Sequence, residues 1–118
     1  MKAPVVFVIS PDWTLRTMVR AELRETGVEA LGMEDTNDLT EALVRGVTPS
    51  LVVLDGAELE KPIARQTLEN LPRNIAILVV DSQVTPAPAL PSAEVLRRPI
   101  RVQDIVSHVL TRLYRKRK

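Results

Sequence analysis

The 118-residue sequence predicts an α/β fold, a parallel sheet covered by helices on both faces. Three observations carry that reading. Short runs of β-branched and aliphatic residues, bounded by turn formers, recur at Val5–Ile9, Leu51–Leu54 and Ile75–Val80. Segments with the apolar spacing of helices lie between and after them. Aromatic residues make up 3% of the chain while hydrophobic residues make up 45%, so the core must be built from Val, Leu, Ile and Ala. That composition suits strands buried on both faces.

Taken in order, the run Val5–Ile9 ends at Pro11-Asp12 and reads as a first strand. Leu15, Met18, Val19 and Leu23 share one face of a helix over Thr14–Thr26, and Gly27 stands where it stops. Val28–Met33 is a weaker strand. Asp38, with Glu41 three residues on, forms a capping-box pattern ahead of Leu39, Ala42 and Leu43, and Gly46 closes that helix. Leu51–Leu54 is the central strand. Pro62 suits a first helical position, with Ile63, Leu68 and Leu71 following before Pro72. After Ile75–Val80 the segment Ser82–Ser92 holds Pro86, Pro88 and Pro91, which remove backbone donors and clash with the preceding turn. An irregular loop is expected there. Glu94-Val95-Leu96 is a short fifth strand, and Val102, Ile105, Val106, Val109, Leu110 and Leu113 form the apolar stripe of a last helix.

The bulk numbers narrow the function classes. The length fits one domain spanning residues 1–118. Cysteine is absent, which excludes disulfides, thiolate metal sites and cysteine nucleophiles. Arg112, Arg115, Lys116, Arg117 and Lys118 make a basic helix end over residues 112–118. Removing these five from the 16 basic residues leaves 11 against 15 acidic ones, and so mildly acidic a body is unsuited to gripping nucleic acid. A nucleic-acid-associated module would have to act through the tail, which reads equally as a solvated helix end. No apolar run approaches the ~20 residues of a membrane span, and the first run is too short for a signal-peptide core. A cytoplasmic protein without a membrane partner is expected. The sequence lacks a Gly-rich phosphate loop, an HExxH pair, a nucleophile elbow and zinc-ligand spacing, so no enzyme is expected.

In open α/β sheets, ligands sit outside the carboxyl ends of the strands. The residues at those ends are Ser10-Pro11-Asp12, Asp55-Gly56, Asp81-Ser82 and Arg98-Pro99. Asp55 also reads as a turn initiator, Asp12 as the N-cap of the following helix, Asp81 as a turn residue and Arg98 as a solvent-facing residue ahead of a turn. His108 lies off the last helix's stripe and reads as solvated. Trp13 falls beside these strand ends, where it covers them or packs.

This set resembles the receiver domain of bacterial response regulators, CheY-like domains with a flavodoxin-like, doubly wound, five-stranded parallel sheet in the order 2-1-3-4-5. The resemblance covers nearly the whole chain. Asp55, ending Leu51-Val52-Val53-Leu54, resembles the family's phospho-accepting aspartate, and Arg98-Pro99 resembles its Lys-Pro pair, often joined by a cis peptide. Ser10 and Pro11 fall where the family carries an acidic pair, and Ser10 stands 45 positions before Asp55, close to the family's interval. Thr36–Leu43 resembles the segment that opens the second helix. Asp81 falls near the family's switch hydroxyl, with Val80 and Ser82 as alternatives for that position.

The departures shape what the resemblance implies. The family's phosphotransfer uses a divalent cation, Mg²⁺, held partly by the acidic pair. Both positions are neutral here, leaving Asp12 and Asp55, with Asp81 as a further carboxylate, as metal ligands for a weakly held ion. Arg98 keeps the lysine's charge but presents a planar fork. The shortened Asp81–Arg98 interval shortens the helix between the fourth and fifth strands or replaces it by the proline-rich loop. The resemblance therefore implies an atypical or pseudo-receiver, bacterial and part of two-component, phosphorelay signalling. It would act by protein–protein contact independently of phosphorylation or weakly tied to it. Its implied partners are a histidine kinase, an output domain or another signalling protein, with a homodimer as a further form. A working phospho-receiver with Asp55 as acceptor is the alternative.

Overall fold

The computed structural model describes residues 4–81, 90 and 93–114. Strands β1 (Val5–Ile9), β2 (Glu29–Met33), β3 (Leu51–Asp55), β4 (Ala76–Val80) and β5 (Ala93–Leu96) alternate with helices α1 (Trp13–Glu25), α2 (Thr36–Val44), α3 (Pro62–Glu69) and α4 (Val102–Leu113). A 3-10 turn over Gly56–Glu60 joins β3 to α3. The strands form one sheet in the order β2-β1-β3-β4-β5, and every neighbouring pair is parallel. This is the five-stranded, doubly wound order implied by the resemblance.

Side-chain alternation along each strand feeds two cores. Val6, Val8, Leu51, Val53, Leu78 and Val80 face α1 and α4, meeting Val19, Leu23, Ile105, Val106 and Val109. Phe7, Ile9, Val52, Leu54, Ile77 and Val79 face the other way, toward Leu39 of α2, Leu59 of the 3-10 turn and Leu68 of α3. Burial on both faces explains why these strands are continuously apolar rather than alternating.

Local chemistry sets the helix ends. The Asp12 carboxylate accepts from the amides of Thr14 and Leu15, so it caps α1. Gly27 and Gly46 follow α1 and α2 with φ of +89° and +88°, the left-handed region that glycine enters without a Cβ clash. The expected capping box at Asp38 is corrected: Asp35 caps α2 by accepting from the amides of Asn37 and Asp38, while Asp38 accepts from the Glu34 amide. Asp35-x-x-Asp38 repeats the acidic spacing of Asp38-x-x-Glu41 one turn earlier, and the first cap available starts the helix.

Two apolar residues expected on core faces point outward. Ile63 is 72% exposed because the short α3 buries Ala64 and Leu68, and Met18 lies on the outer side of the stripe that buries Val19 and Leu23. The proline-rich segment 82–92 lies, apart from Leu90, outside the described residues, and so does the tail beyond Tyr114. Leu90 is buried beside Ile75 and Ile77. Among the described residues, no helix is long and apolar enough to cross a membrane.

Candidate functional site

Because all five strands run parallel, their carboxyl ends gather Ser10, Asp55, Asp81 and the Arg98-Pro99 pair at one end of the sheet. Asp55, Asp81 and Ser10 are all buried, Ser10 almost completely. Buried polar groups at this density require partners, and each has them.

The Ser10 hydroxyl donates to Asp55 Oδ2 at 2.9 Å and accepts from the Asp12 amide at 3.0 Å. The other carboxylate oxygen, Asp55 Oδ1, accepts from the Ala57 amide at 3.0 Å, which also caps the 3-10 turn. The two oxygens of Asp55 are thus each held by a donor of the chain itself. Asp12 is exposed, with Oδ1 engaged in capping α1. Among the described residues, no three His, Cys, Asp or Glu side chains form a group that could hold a metal ion.

On the other side of the site, Asp81 is tied to the end of β5. Its amide donates to the Leu96 carbonyl at 2.9 Å, its carboxylate pairs with Arg97 at 3.4 Å, and its carbonyl accepts a short hydrogen bond from Arg98 Nε. Arg98 therefore keeps the positive charge expected at that position but turns its guanidinium to the Asp81 backbone, with no hydrogen bond or ion pair to Asp55. Arg98-Pro99 is joined by a cis peptide. Val80, an alternative for the switch position, is buried in β4, and Ser82 lies outside the described residues. Trp13 stands beside the site at the start of α1 but is 68% exposed, so it does not pack into the core. His108 is half-exposed and paired with Glu94 at 3.3 Å; Glu94 also takes Arg112 at 3.1 Å.

Two features next to the site were invisible in the sequence. Glu58, in the turn directly after Asp55, is 2% exposed; it accepts from the Thr36 amide at 3.2 Å and from Lys61 Nζ at 2.8 Å. It ties the segment after Asp55 to the start of α2. The Glu58 hydrogen bond raises the Lys61 ammonium above its ordinary 10.5, against an opposing push from burial. Arg16 of α1 donates to the Ser10 carbonyl at 2.7 Å. One of two glutamates in Gly56–Glu60 and one Arg among many carry no sequence signal of these contacts.

No protein-family model matches the sequence, and no curated relative matches it. Solved structures do. The beryllofluoride-activated receiver domain of NtrC aligns with a TM-score of 0.71 at 16% identity, covering 98% of this chain and 100% of that one. A response regulator from Thermotoga maritima aligns with a TM-score of 0.71 at 15% identity, covering 93% and 97%. A response regulator receiver protein from Sinorhizobium medicae gives 0.68 at 18% identity, covering 97% of each. The chain has the CheY-like receiver fold.

Proposed function

We propose that this chain is an atypical receiver domain that signals through protein–protein contact, with Asp55 withheld from phosphotransfer. One observation carries the reading. Ser10, where the resemblance implies an acidic residue, donates its hydroxyl to the very carboxylate that would accept phosphate. Phosphorylation would require an Asp55 oxygen to attack phosphorus while the donor's leaving group departs. It would also require a cation to neutralise the incoming phosphoryl oxygens.

The donor set does not fit Mg²⁺. Ser10 and Pro11 bring no charge, Asp12 Oδ1 is used in the helix cap, and both Asp55 oxygens already accept hydrogen bonds. Arg98, bonded to the Asp81 carbonyl, adds no compensating contact to Asp55. A protein partner, whether a histidine kinase, an output domain or a second copy, reads the surface in this account.

Incubating the protein with Mg²⁺ and acetyl phosphate, followed by intact mass measurement, tests the proposal. The expected spectrum shows the unmodified mass. A stable gain of one phosphoryl group that disappears in Asp55→Asn would establish the alternative, a working phospho-receiver.

A further inference from the structure

The open edge of the sheet is joined to the site by one side chain. β2 is an edge strand, and its register with β1 turns Glu29, Leu31 and Met33 inward: the Glu29 amide donates to Pro4 and the Met33 carbonyl accepts from Ser10. Ala30 and Gly32 therefore direct their backbone groups to the open edge. Arg20 and Arg16, one turn apart on α1, lie over these two positions. Arg20 Nε donates to the Ala30 carbonyl at 3.2 Å. The stem of Arg16 lies so close to Gly32 that a Cβ there would stand 3.0 Å from its Cγ and 3.2 Å from its Cδ. From this berth Arg16 reaches the Ser10 carbonyl at 2.7 Å.

Ser10 is consequently held on every polar atom. Its amide donates to Met33, its carbonyl accepts from Arg16, and its hydroxyl joins the Asp12 amide to Asp55. We propose that Arg16, laid across Gly32, is a strap that positions the Ser10 hydroxyl on Asp55 and so governs how accessible that carboxylate is. Arg16 is a positioning residue in this scheme, acting on Asp55 only through Ser10. The proposal rests on the reading that the Ser10–Asp55 contact is what closes the site. Gly32 has ordinary backbone angles, so its role is the space it leaves rather than conformational freedom.

The test is amidation of individual carboxylates with a water-soluble carbodiimide and glycinamide, read by peptide mass. Asp81, buried to the same 7% exposure as Asp55, serves as internal reference. Arg16→Ala and Gly32→Val are each expected to raise the Asp55 rate relative to Asp81 by about threefold to tenfold, the population change that loss of one hydrogen bond brings. Arg16→Lys, whose ammonium also donates, should restore most of the protection. The double variant should exceed neither single one, because both act through the same strap.

An unchanged Asp55-to-Asp81 ratio in Arg16→Ala would overturn the proposal. So would a parallel rise at both residues, which signals general loosening. Should Gly32→Val fail to fold, the Arg16→Ala and Arg16→Lys pair decides alone. Phosphorylation of the wild type would refute the closed-site reading without altering this labelling pattern, so the two failures are distinguishable.

Discussion

Replacing Ser10 with aspartate is expected to make the protein's stability depend on Mg²⁺, which the wild type's should not. The Ser10 hydroxyl lies 2.9 Å from Asp55 Oδ2, so a carboxylate at position 10 faces another carboxylate across a buried gap. Two like charges about 4 Å apart repel by up to about 4 kcal/mol at an effective dielectric near 20. Ser10→Asp should therefore unfold at markedly lower urea without divalent ions, and millimolar Mg²⁺ should restore much of the loss by occupying the gap. Ser10→Ala, which removes a hydrogen bond without adding charge, is the control; its loss of about 1 kcal/mol should not respond to Mg²⁺. Equal Ser10→Asp unfolding midpoints with and without Mg²⁺ would show that position 10 is not the place of a missing metal ligand.

The second large effect is expected at the Glu58–Lys61 pair. Glu58, three residues after Asp55, is buried with Lys61 and the Thr36 amide as its partners. Removing one partner of a buried ion pair strands the other charge, at a cost of about 3–5 kcal/mol when both are fully enclosed. The Lys61 side chain is 58% exposed, so water screens the pair. A loss of about 1–3 kcal/mol for Lys61→Met is the discounted expectation. Glu58→Gln keeps an acceptor for the Thr36 amide and should cost less than Glu58→Leu, which leaves that buried donor without one.

The pH dependence has a definite sign. Lys61 is raised above 10.5 in the folded protein, so its contribution is whole below that value and fades as the pH climbs beyond it. Urea unfolding between pH 9 and 12 should show this alkaline loss in the wild type and a smaller one in Lys61→Met. Identical profiles would mean that the pair contributes nothing to stability.

How far the sequence could be read depended on whether a feature was local. The run Val5–Ile9 matches β1 and the apolar stripe from Val102 to Leu113 matches α4, because both patterns are written in neighbouring residues, while the helix end expected over residues 112–118 stops at Leu113 with Tyr114 as its cap. The approach of Ser10 to Asp55 was foreseeable from their separation and from strand order, since parallel strands deliver their ends to one place. Where a pattern occurred twice the choice failed, as at Asp35 and Asp38, which offer caps at the same spacing. Features made by tertiary contact were silent. Nothing near Glu58 announces its burial, Arg98 keeps its charge whichever carbonyl it faces, and the berth of Arg16 exists only once Gly32 lies beneath it.

The most direct check on a carboxylate already satisfied by its own chain is an amide NMR titration of the wild type with Mg²⁺ and then beryllofluoride. The signals of Ser10, Asp12, Asp55 and Ala57 are expected to stay in place at millimolar concentrations. Saturable shifts confined to those residues would contradict this, because the cation and the phosphoryl mimic would then have displaced the Ser10 hydroxyl.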